Sequence, residues 1–188
     1  MAGLDEAVML FSAGKRRERE AAAGLYAAAV EAARRPVLYT AYGVPDTLQG
    51  RFEMMALHLF ALLHRLMHEP GDDPELARLV SESFVGDMDA AFREMGVSDL
   101  AVPKRMKVLY GSFAGRVGAY RTAFGEGEAA LAAALARNVF PDGPEGRSAL
   151  ALAKHLQTTV VAFRQAELAA LRRGEAAFPA PPMQEEQR

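Results

Sequence analysis

The sequence predicts an all-α protein, a single compact bundle of about six helices around a central apolar helix. Alanine is abundant, and no segment shows the alternation of apolar and polar residues that a half-buried strand requires. Apolar residues recur instead at spacings of three and four, which places them on one face of a helix. A length of 188 residues suits one domain that buries its core without cross-links.

The first helical region is expected over residues 4–35, with a break near residues 12–14. Pro36 ends this region, because the residue before a proline is disfavoured in the α conformation. A polar turn over residues 43–50 follows. It is rich in residues that interrupt helices, so it separates the first region from the next helix.

The second helix is expected to extend to His68. Asp46 is its expected N-cap, since Gln49 follows three residues later as in a capping box. Over residues 52–68, 12 of the 17 side chains are apolar, so this helix should lie at the centre of the bundle. Its longest apolar run is far shorter than the roughly 20 residues that span a bilayer.

Two further helices are expected to form an antiparallel hairpin. Asp73 is an N-cap before Pro74, Gly96 closes that helix, and Pro103 starts the next one. Each helix has an apolar stripe, formed by Ala77, Val80, Phe84, Met88, Ala91 and Met95 in the first and by Met106, Leu109, Phe113, Val117, Tyr120 and Phe124 in the second. The short connection lets the two stripes face each other.

The rest of the chain is expected to add a short helix over residues 128–138, a loop over residues 141–146 and a last helix ending at Arg173. The helical domain would then cover residues 1–174. Residues 175–188 are expected to be disordered, because their composition offers too little apolar surface to offset the entropy of ordering.

Three glycines inside the second hairpin helix need an explanation, since each costs about 1 kcal/mol relative to alanine. They are Gly111, Gly115 and Gly118. The structural interpretation is that another helix approaches this flat face closely, and the functional one is that the face forms a groove for the helix of a partner.

Composition excludes several classes of function. The chain has no cysteine, so disulfides, thiolate metal sites and cysteine nucleophiles are ruled out. Its 22 basic and 24 acidic residues nearly balance, so no global field attracts nucleic acid, which is an unlikely partner. No secretory or transit signal is evident, and we expect a cytoplasmic protein, soluble or peripheral at the inner face of the cytoplasmic membrane.

Candidate catalytic and metal-binding groups do not assemble into a site. His64 and His68 lie one helical turn apart and could hold a metal, but no third ligand is placed beside them. Asp87 and Asp89 point in different directions on a helix, and Asp89 can pair with Arg93. Phosphate-binding loops and nucleophile motifs are absent from the sequence, so we expect neither an enzyme nor a cofactor.

A basic cluster opens the helix after Pro103. Lys104, Arg105 and Lys107 crowd its first turn, where the helix dipole already disfavours cations. One interpretation is a site for an acidic partner, a phosphate or a carboxylate; the other is a solvated cluster balanced by Asp99 or Glu94. The first leaves open a second class of function, a peripheral membrane-surface or nucleic-acid adaptor.

Five segments carry a family resemblance. They are LYAAAVEAARRPVLYTAYGVPDT from Leu25, GRFEMMALH from Gly50, DMDAAFREMGVSDLAVPKRMK from Asp87, LYGSFAGRVGAY from Leu109 and RNVF ending at Phe140. In this order they resemble the signature stretches of the ubiquinol-cytochrome c chaperone family, over a core of about residues 25–140. Glu53 departs from the pattern, because an aspartate is expected there.

The resemblance implies a non-enzymatic assembly chaperone of bacterial type. Such a protein binds newly made cytochrome b, or other subunits of complex III, and supports assembly of that complex. In mitochondria a small partner protein acts with it. The residues that match the family and become candidate partner-binding residues are Arg34, Tyr39, Gly43, Pro45, Asp46, Arg51, Phe52, Asp87, Asp89, Arg93, Glu94, Lys104 and Lys107.

Two of the matching segments are expected to meet in space. Our hypothesis is that the turn over residues 43–51 and the hairpin loop over residues 96–104 form a charged rim beside an apolar groove. The methionines Met54, Met55 and Met67 are expected to pack in the core, although an adaptable binding surface is the alternative.

Overall fold

The computed structural model describes residues 2–141 and 146–182, with side chains from residue 13 onward and without those of residues 142–147. Within this part of the chain it contains helices and no strand. The helices are α1 (Ala2–Ala33), α2 (Pro36–Thr40), α3 (Leu48–His68), α4 (Pro74–Glu94), α5 (Val102–Glu126), α6 (Glu128–Val139), α7 (Gly146–Gln165) and α8 (Leu168–Leu171). The all-α bundle is confirmed, with six long helices and two short ones.

Helix α3 is the centre of the bundle, as predicted. It packs against α1, α4, α5, α6 and α7, and Leu57, Phe60 and Leu66 are among its fully buried side chains. Met54 and Met55 are buried in the core, whereas Met67 is half exposed. None of the described helices combines the length and the apolar composition needed to cross a bilayer.

The start of α3 corrects one predicted cap. The N-cap is Thr47, whose hydroxyl oxygen accepts a hydrogen bond from the Gly50 N–H at 3.1 Å. Asp46 instead accepts a hydrogen bond from Arg51 Nε at 2.7 Å. Because Thr47 can cap the helix one residue later, the carboxylate of Asp46 is available for the guanidinium of Arg51.

Helix α1 corrects a second expectation. It is continuous over Ala2–Ala33, and the break predicted near residues 12–14 does not occur. A single serine and a single glycine lower helix stability by about 1 kcal/mol or less each, and this is too little to end a long helix. Three other predicted boundaries hold: Asp73 caps α4, Pro103 lies in the first turn of α5, and α6 spans Glu128–Val139.

The C-terminal half of the bundle also differs in detail from the prediction. The last helix is two helices, since α7 ends at Gln165 and the four-residue α8 follows. Gly174 after α8 has a φ of +81°, and an added Cβ would lie 3.0 Å from the backbone of Ala21 on α1. The predicted loop over residues 141–146 lies mostly outside the described residues.

Helices α4 and α5 form the predicted hairpin, but they pack closely along only part of their length. Near the middle of the two helices, Phe84 and Phe113 are in contact, with ring centroids 4.7 Å apart. Towards the connecting loop the α4 stripe becomes exposed, and Met95 is 56% exposed. Between this contact and the loop, the two stripes line a groove.

The glycine face of α5 corrects the interpretation that a helix packs closely on it. A Cβ added at Gly111, Gly115 or Gly118 would have no neighbouring atom within 4 Å. No other described helix therefore packs closely against these three glycines. A close approach does occur at Gly50, where a Cβ would lie 1.9 Å from the Pro45 carbonyl oxygen.

The prediction of disorder after residue 174 is wrong for residues 175–182, while residues 183–188 lie outside the described residues. Phe178 is buried against Phe163 and His58, with ring centroids 4.8 Å and 5.6 Å away. Arg35 donates hydrogen bonds to the carbonyl oxygens of Phe178 and Pro179. The buried ring of Phe178 and the hydrogen bonds to backbone carbonyl oxygens order this segment. Its amino-acid composition reveals neither feature.

A pair of buried histidines lies beneath this C-terminal segment. His58 Nδ1 lies 2.7 Å from the Met54 carbonyl oxygen, so the ring is hydrogen-bonded within the core. The Nε2 atoms of His58 and His155 are 3.4 Å apart. The pKa of His58 is lowered from 6.5 to about 3 and that of His155 to about 4, mainly by burial, and the charge of Arg35 contributes to both shifts.

We expect Phe178→Ala to lower the free energy of unfolding by about 3 kcal/mol, because it removes a buried aromatic ring and leaves a cavity. Urea denaturation followed by circular dichroism measures the change. Val161→Ala, at a half-exposed position of α7, is the control and should cost less than about 1 kcal/mol. Equal effects of the two substitutions would show that residues 175–182 are not packed as described.

Lowering the pH should destabilise the fold before the carboxylates protonate. Between about pH 6.5 and 5 the unfolded chain binds protons on both histidines while the folded chain does not, so stability decreases as the pH falls. The expected slope is roughly 1 kcal/mol per pH unit for each histidine. Burial also lowers the pKa of His64, which adds to the slope. In His155→Gln the slope measured by denaturation at several pH values should therefore fall by about 1 kcal/mol per pH unit, the contribution of one histidine, and an unchanged slope would contradict the assignment.

Candidate partner-binding groove

A groove of about 800 Å³ opens between α3, α4 and α5 at the end of the hairpin. The ends of α1 and α2 close its other side through Ala33, Arg34 and Tyr39. Its apolar lining consists of Leu48, Phe52, Met55, Phe84, Met88, Phe92, Met95, Val108 and Leu109, with Ala33, Ala91 and Ala101. Three of these side chains are methionines, which adapt their shape to different ligands.

The charged residues that line this groove are all basic. They are Arg34, Arg51, Lys104 and Arg105. Arg51 pairs with Asp46, whereas the other three form no ion pair with the described residues. Helix α5 begins here with no acidic residue in its first turn, so its dipole adds to the positive potential.

Three acidic residues of α4 and the hairpin loop have partners outside the basic cluster. Asp87 accepts a hydrogen bond from the Tyr26 hydroxyl of α1 at 2.6 Å. Asp89 accepts one from Arg93 at 2.7 Å, as predicted, and Asp99 also pairs with Arg93. In the interpretation of a solvated cluster balanced by Asp99 or Glu94, the Asp99 carboxylate thus pairs with Arg93. Neither acidic residue forms an ion pair with Lys104, Arg105 or Lys107 among the described residues.

The predicted meeting of the two loops is confirmed. Leu48, Gln49 and Arg51 from one segment and Ala101 and Lys104 from the other line the same groove.

Five of the thirteen candidate partner-binding residues contribute to the lining: Arg34, Tyr39, Arg51, Phe52 and Lys104. Asp87, Asp89, Arg93, Glu94 and Lys107 do not line it. That any of the thirteen binds a partner remains a prediction.

Gly43, Pro45 and Asp46 shape the turn that positions Arg51 and Leu48. Gly43 has a φ of +69°, a conformation that favours glycine. The Val44 N–H donates to the Leu38 carbonyl oxygen at 3.1 Å, which ties the turn to α2. The Pro45 carbonyl then lies directly over Gly50, so a side chain at position 50 would push the turn off α3.

A buried ion pair that the sequence did not predict holds α5 against α3 beside the groove. Glu53 is fully buried. Its carboxylate accepts hydrogen bonds from Arg116 Nε and Nη2 at 2.7–3.2 Å, from Gln49 Nε2 at 2.6 Å and from the Tyr120 hydroxyl at 3.4 Å. The bond to Glu53 raises the pKa of Arg116, and burial together with the charge of Glu53 raises that of Tyr120.

Arg116 also lies over the ring of Phe52, with its guanidinium carbon 5.6 Å from the ring centroid. Glu53 and Arg116 are 63 positions apart, so no local spacing relates them. The sequence feature that could have indicated this ion pair is a glutamate within an apolar helix, because a buried carboxylate needs a partner of opposite charge.

The two histidines considered for a metal lie away from the groove. His64 and His68 have ring centroids 5.5 Å apart, and His64 Nε2 lies 3.3 Å from a carboxylate oxygen of Glu69 without hydrogen-bond geometry. Among the residues with described side chains, no three histidine, aspartate or glutamate side chains converge as a metal site would need.

We expect Glu53→Gln to lower the free energy of unfolding by about 2 kcal/mol, because Arg116 would lose its charged acceptor in a largely buried setting. Asp46→Asn is the matched control, since it removes a carboxylate from an ion pair whose side chains are both exposed. It should cost less than about 1 kcal/mol. Chemical denaturation measures both, and a similar cost for the two variants would contradict a structural role for the buried pair.

The comparisons with known proteins agree with this architecture. A family model described as ubiquinol-cytochrome C chaperone matches residues 40–178. A crystal structure of the Cbp3 homolog from Brucella abortus is similar, with a TM-score of 0.81 and 36% sequence identity over 92% of this chain and 96% of that chain. The search of curated proteins gave no significant match.

The family match extends well beyond Phe140, where the resemblance noted from the sequence ends, and it includes Phe178. The family match therefore includes the C-terminal segment that packs on α3 and α7 as far as Phe178. From this match and the structural similarity, the chain belongs to the ubiquinol-cytochrome c chaperone family.

Proposed function

We propose that the protein is a non-enzymatic chaperone that binds newly made cytochrome b and supports its assembly into complex III. Family membership supports the coarser role in assembly of the ubiquinol-cytochrome c reductase. The observation that supports a client-binding role is the groove, because it is apolar, lies between the segments that carry the family resemblance and is open in the folded chain.

The apolar residues around the groove are unusually exposed for a folded domain. Leu48, Met95 and Val108 are 77%, 56% and 66% exposed. Exposed apolar side chains that cluster around one concavity mark an interaction surface. An apolar segment of a membrane subunit could bury them and be shielded from aggregation until its final partners arrive.

The thirteen candidate residues divide into two proposed roles. Arg34, Tyr39, Arg51, Phe52 and Lys104 would contact the client within the groove. The residues on the outer side of the hairpin, among them Arg93, Glu94 and Lys107, would contact the part of the client that extends beyond the groove, or a small partner protein. We place this action at the inner face of the cytoplasmic membrane, where a newly made membrane subunit is available.

The adaptor function is the second candidate, and the unpaired cations Lys104 and Arg105 favour it. These cations border an apolar groove, however, and do not lie on a uniformly basic surface. Electrostatic attachment to a membrane or to nucleic acid uses clustered surface charge and needs no such groove. The groove therefore favours a protein client.

We expect Leu48→Ser/Val108→Ser to reduce the recovery of cytochrome b on the order of tenfold, because it removes two exposed apolar contacts of about 1 kcal/mol each. The measurement is affinity capture after crosslinking in membranes of the native organism, with quantification of the retained cytochrome b. Circular dichroism verifies that the variant keeps its helices.

The matched control is Leu150→Ser/Val161→Ser, which makes the same two exchanges at exposed positions of α7 outside the groove. It should recover as much cytochrome b as the unaltered protein. If the groove variant also recovers a full amount, the groove is not the client site. If the unaltered protein captures no cytochrome b, the proposed client is wrong.

A further inference from the structure

We propose that the groove recognises an acidic amphipathic helix, whose apolar face packs on the groove floor and whose carboxylates pair with Arg34, Lys104 and Arg105. The inference rests on the proposed function for the role of the groove as a client site. It adds the chemistry of the segment that the groove accepts, and in particular the sign of its charge.

The first argument is the charge of the groove. All four charged residues that line it are basic, and three of them form no ion pair with the described residues. The chain as a whole carries a net charge of −2, so this local excess is opposite to the overall balance. The nearby carboxylates of Asp46, Asp89 and Asp99 are paired with Arg51 and Arg93.

The second argument is the cost of covering those cations. A purely apolar segment that fills the groove would remove water from Arg34, Lys104 and Arg105 without supplying a counter-charge, and this is unfavourable. Carboxylates on the edge of the segment restore the lost interactions. A segment with lysine or arginine at those positions would add repulsion, so the groove discriminates by charge as well as by hydrophobicity.

The third argument is the shape of the groove. Its floor is formed by side chains of α3, α4 and α5, among them Phe52, Met88 and Leu109. A volume of about 800 Å³ accommodates several large apolar side chains. A helix presents such anchors at positions i, i+3, i+4 and i+7, and its flanking positions then reach the basic residues at the edge.

The test uses the full-length protein and three fluorescent synthetic helices with the same apolar face. Their polar positions carry glutamate in one peptide, glutamine in the second and lysine in the third. Fluorescence anisotropy gives the affinity of each at low and high salt. We expect the glutamate peptide to bind most tightly and the lysine peptide most weakly, with a difference that shrinks as salt screens the charges.

The variant Arg34→Gln/Lys104→Gln/Arg105→Gln should weaken binding of the glutamate peptide about tenfold at low salt, since exposed ion pairs contribute up to about 1 kcal/mol each. Its affinity for the glutamine peptide should change little. The charge-matched control is Arg17→Gln/Arg121→Gln/Lys154→Gln, at exposed positions outside the groove. It should retain the preference for glutamate.

Equal affinity for the three peptides would overturn the inference, and so would a preference for glutamate that survives in the groove variant. Anionic vesicles provide a further comparison. If they bind through Arg34, Lys104 and Arg105 while the glutamate peptide does not bind, the occupant is a lipid and the inference is wrong.

The outcomes also separate this inference from the proposed function. Charge-selective peptide binding without capture of cytochrome b would contradict the proposed client and leave the charge selectivity intact. Capture of cytochrome b that depends on Leu48 and Val108, together with equal peptide affinities, would support the proposed client and contradict the charge selectivity.

Discussion

The buried ion pair between Glu53 and Arg116 is the constraint on which the position of α5 depends. A carboxylate without solvent exposure is unfavourable unless donors replace its water shell, and here Arg116, Gln49 and Tyr120 supply them. Helix α5 also packs against α4 and α6, and its side chains Phe113 and Tyr120 belong to the core. The pair adds a specific polar link, because it fixes Arg116 of α5 against Glu53 of α3 beside the groove.

The groove lies at the open end of the hairpin, between the connecting loop and the contact of Phe84 with Phe113 near the middle of the two helices. Both rings belong to the core. At the open end Met95 and Val108 remain largely exposed, although burying them would stabilise the fold. The family to which the chain belongs gives a reason for this arrangement, since a chaperone needs apolar surface that its own chain does not cover.

Another part of the bundle shows how the same chain covers apolar surface with its own C-terminal segment. Residues 175–182 pack across α3 and α7, with Phe178 in contact with His58 and Phe163. Arg35 and Tyr42 hold the segment by its carbonyl oxygens. Because these bonds go to the backbone, the segment needs few special side chains, which is why its composition resembles that of a disordered tail.

The sequence alone determined the helical class, the central helix and most helix boundaries, because these depend on local chemistry. Proline after Asp73, glycine at position 96 and the stripes of the α4–α5 hairpin act within one or two helical turns. The tertiary structure decided what depends on distant partners: the pairing of Glu53 with Arg116 and the burial of Phe178. It also decided which part of the hairpin stays open. A periodic stripe predicts that a helix buries one face, but it does not predict how much of the helix length is covered by neighbouring residues.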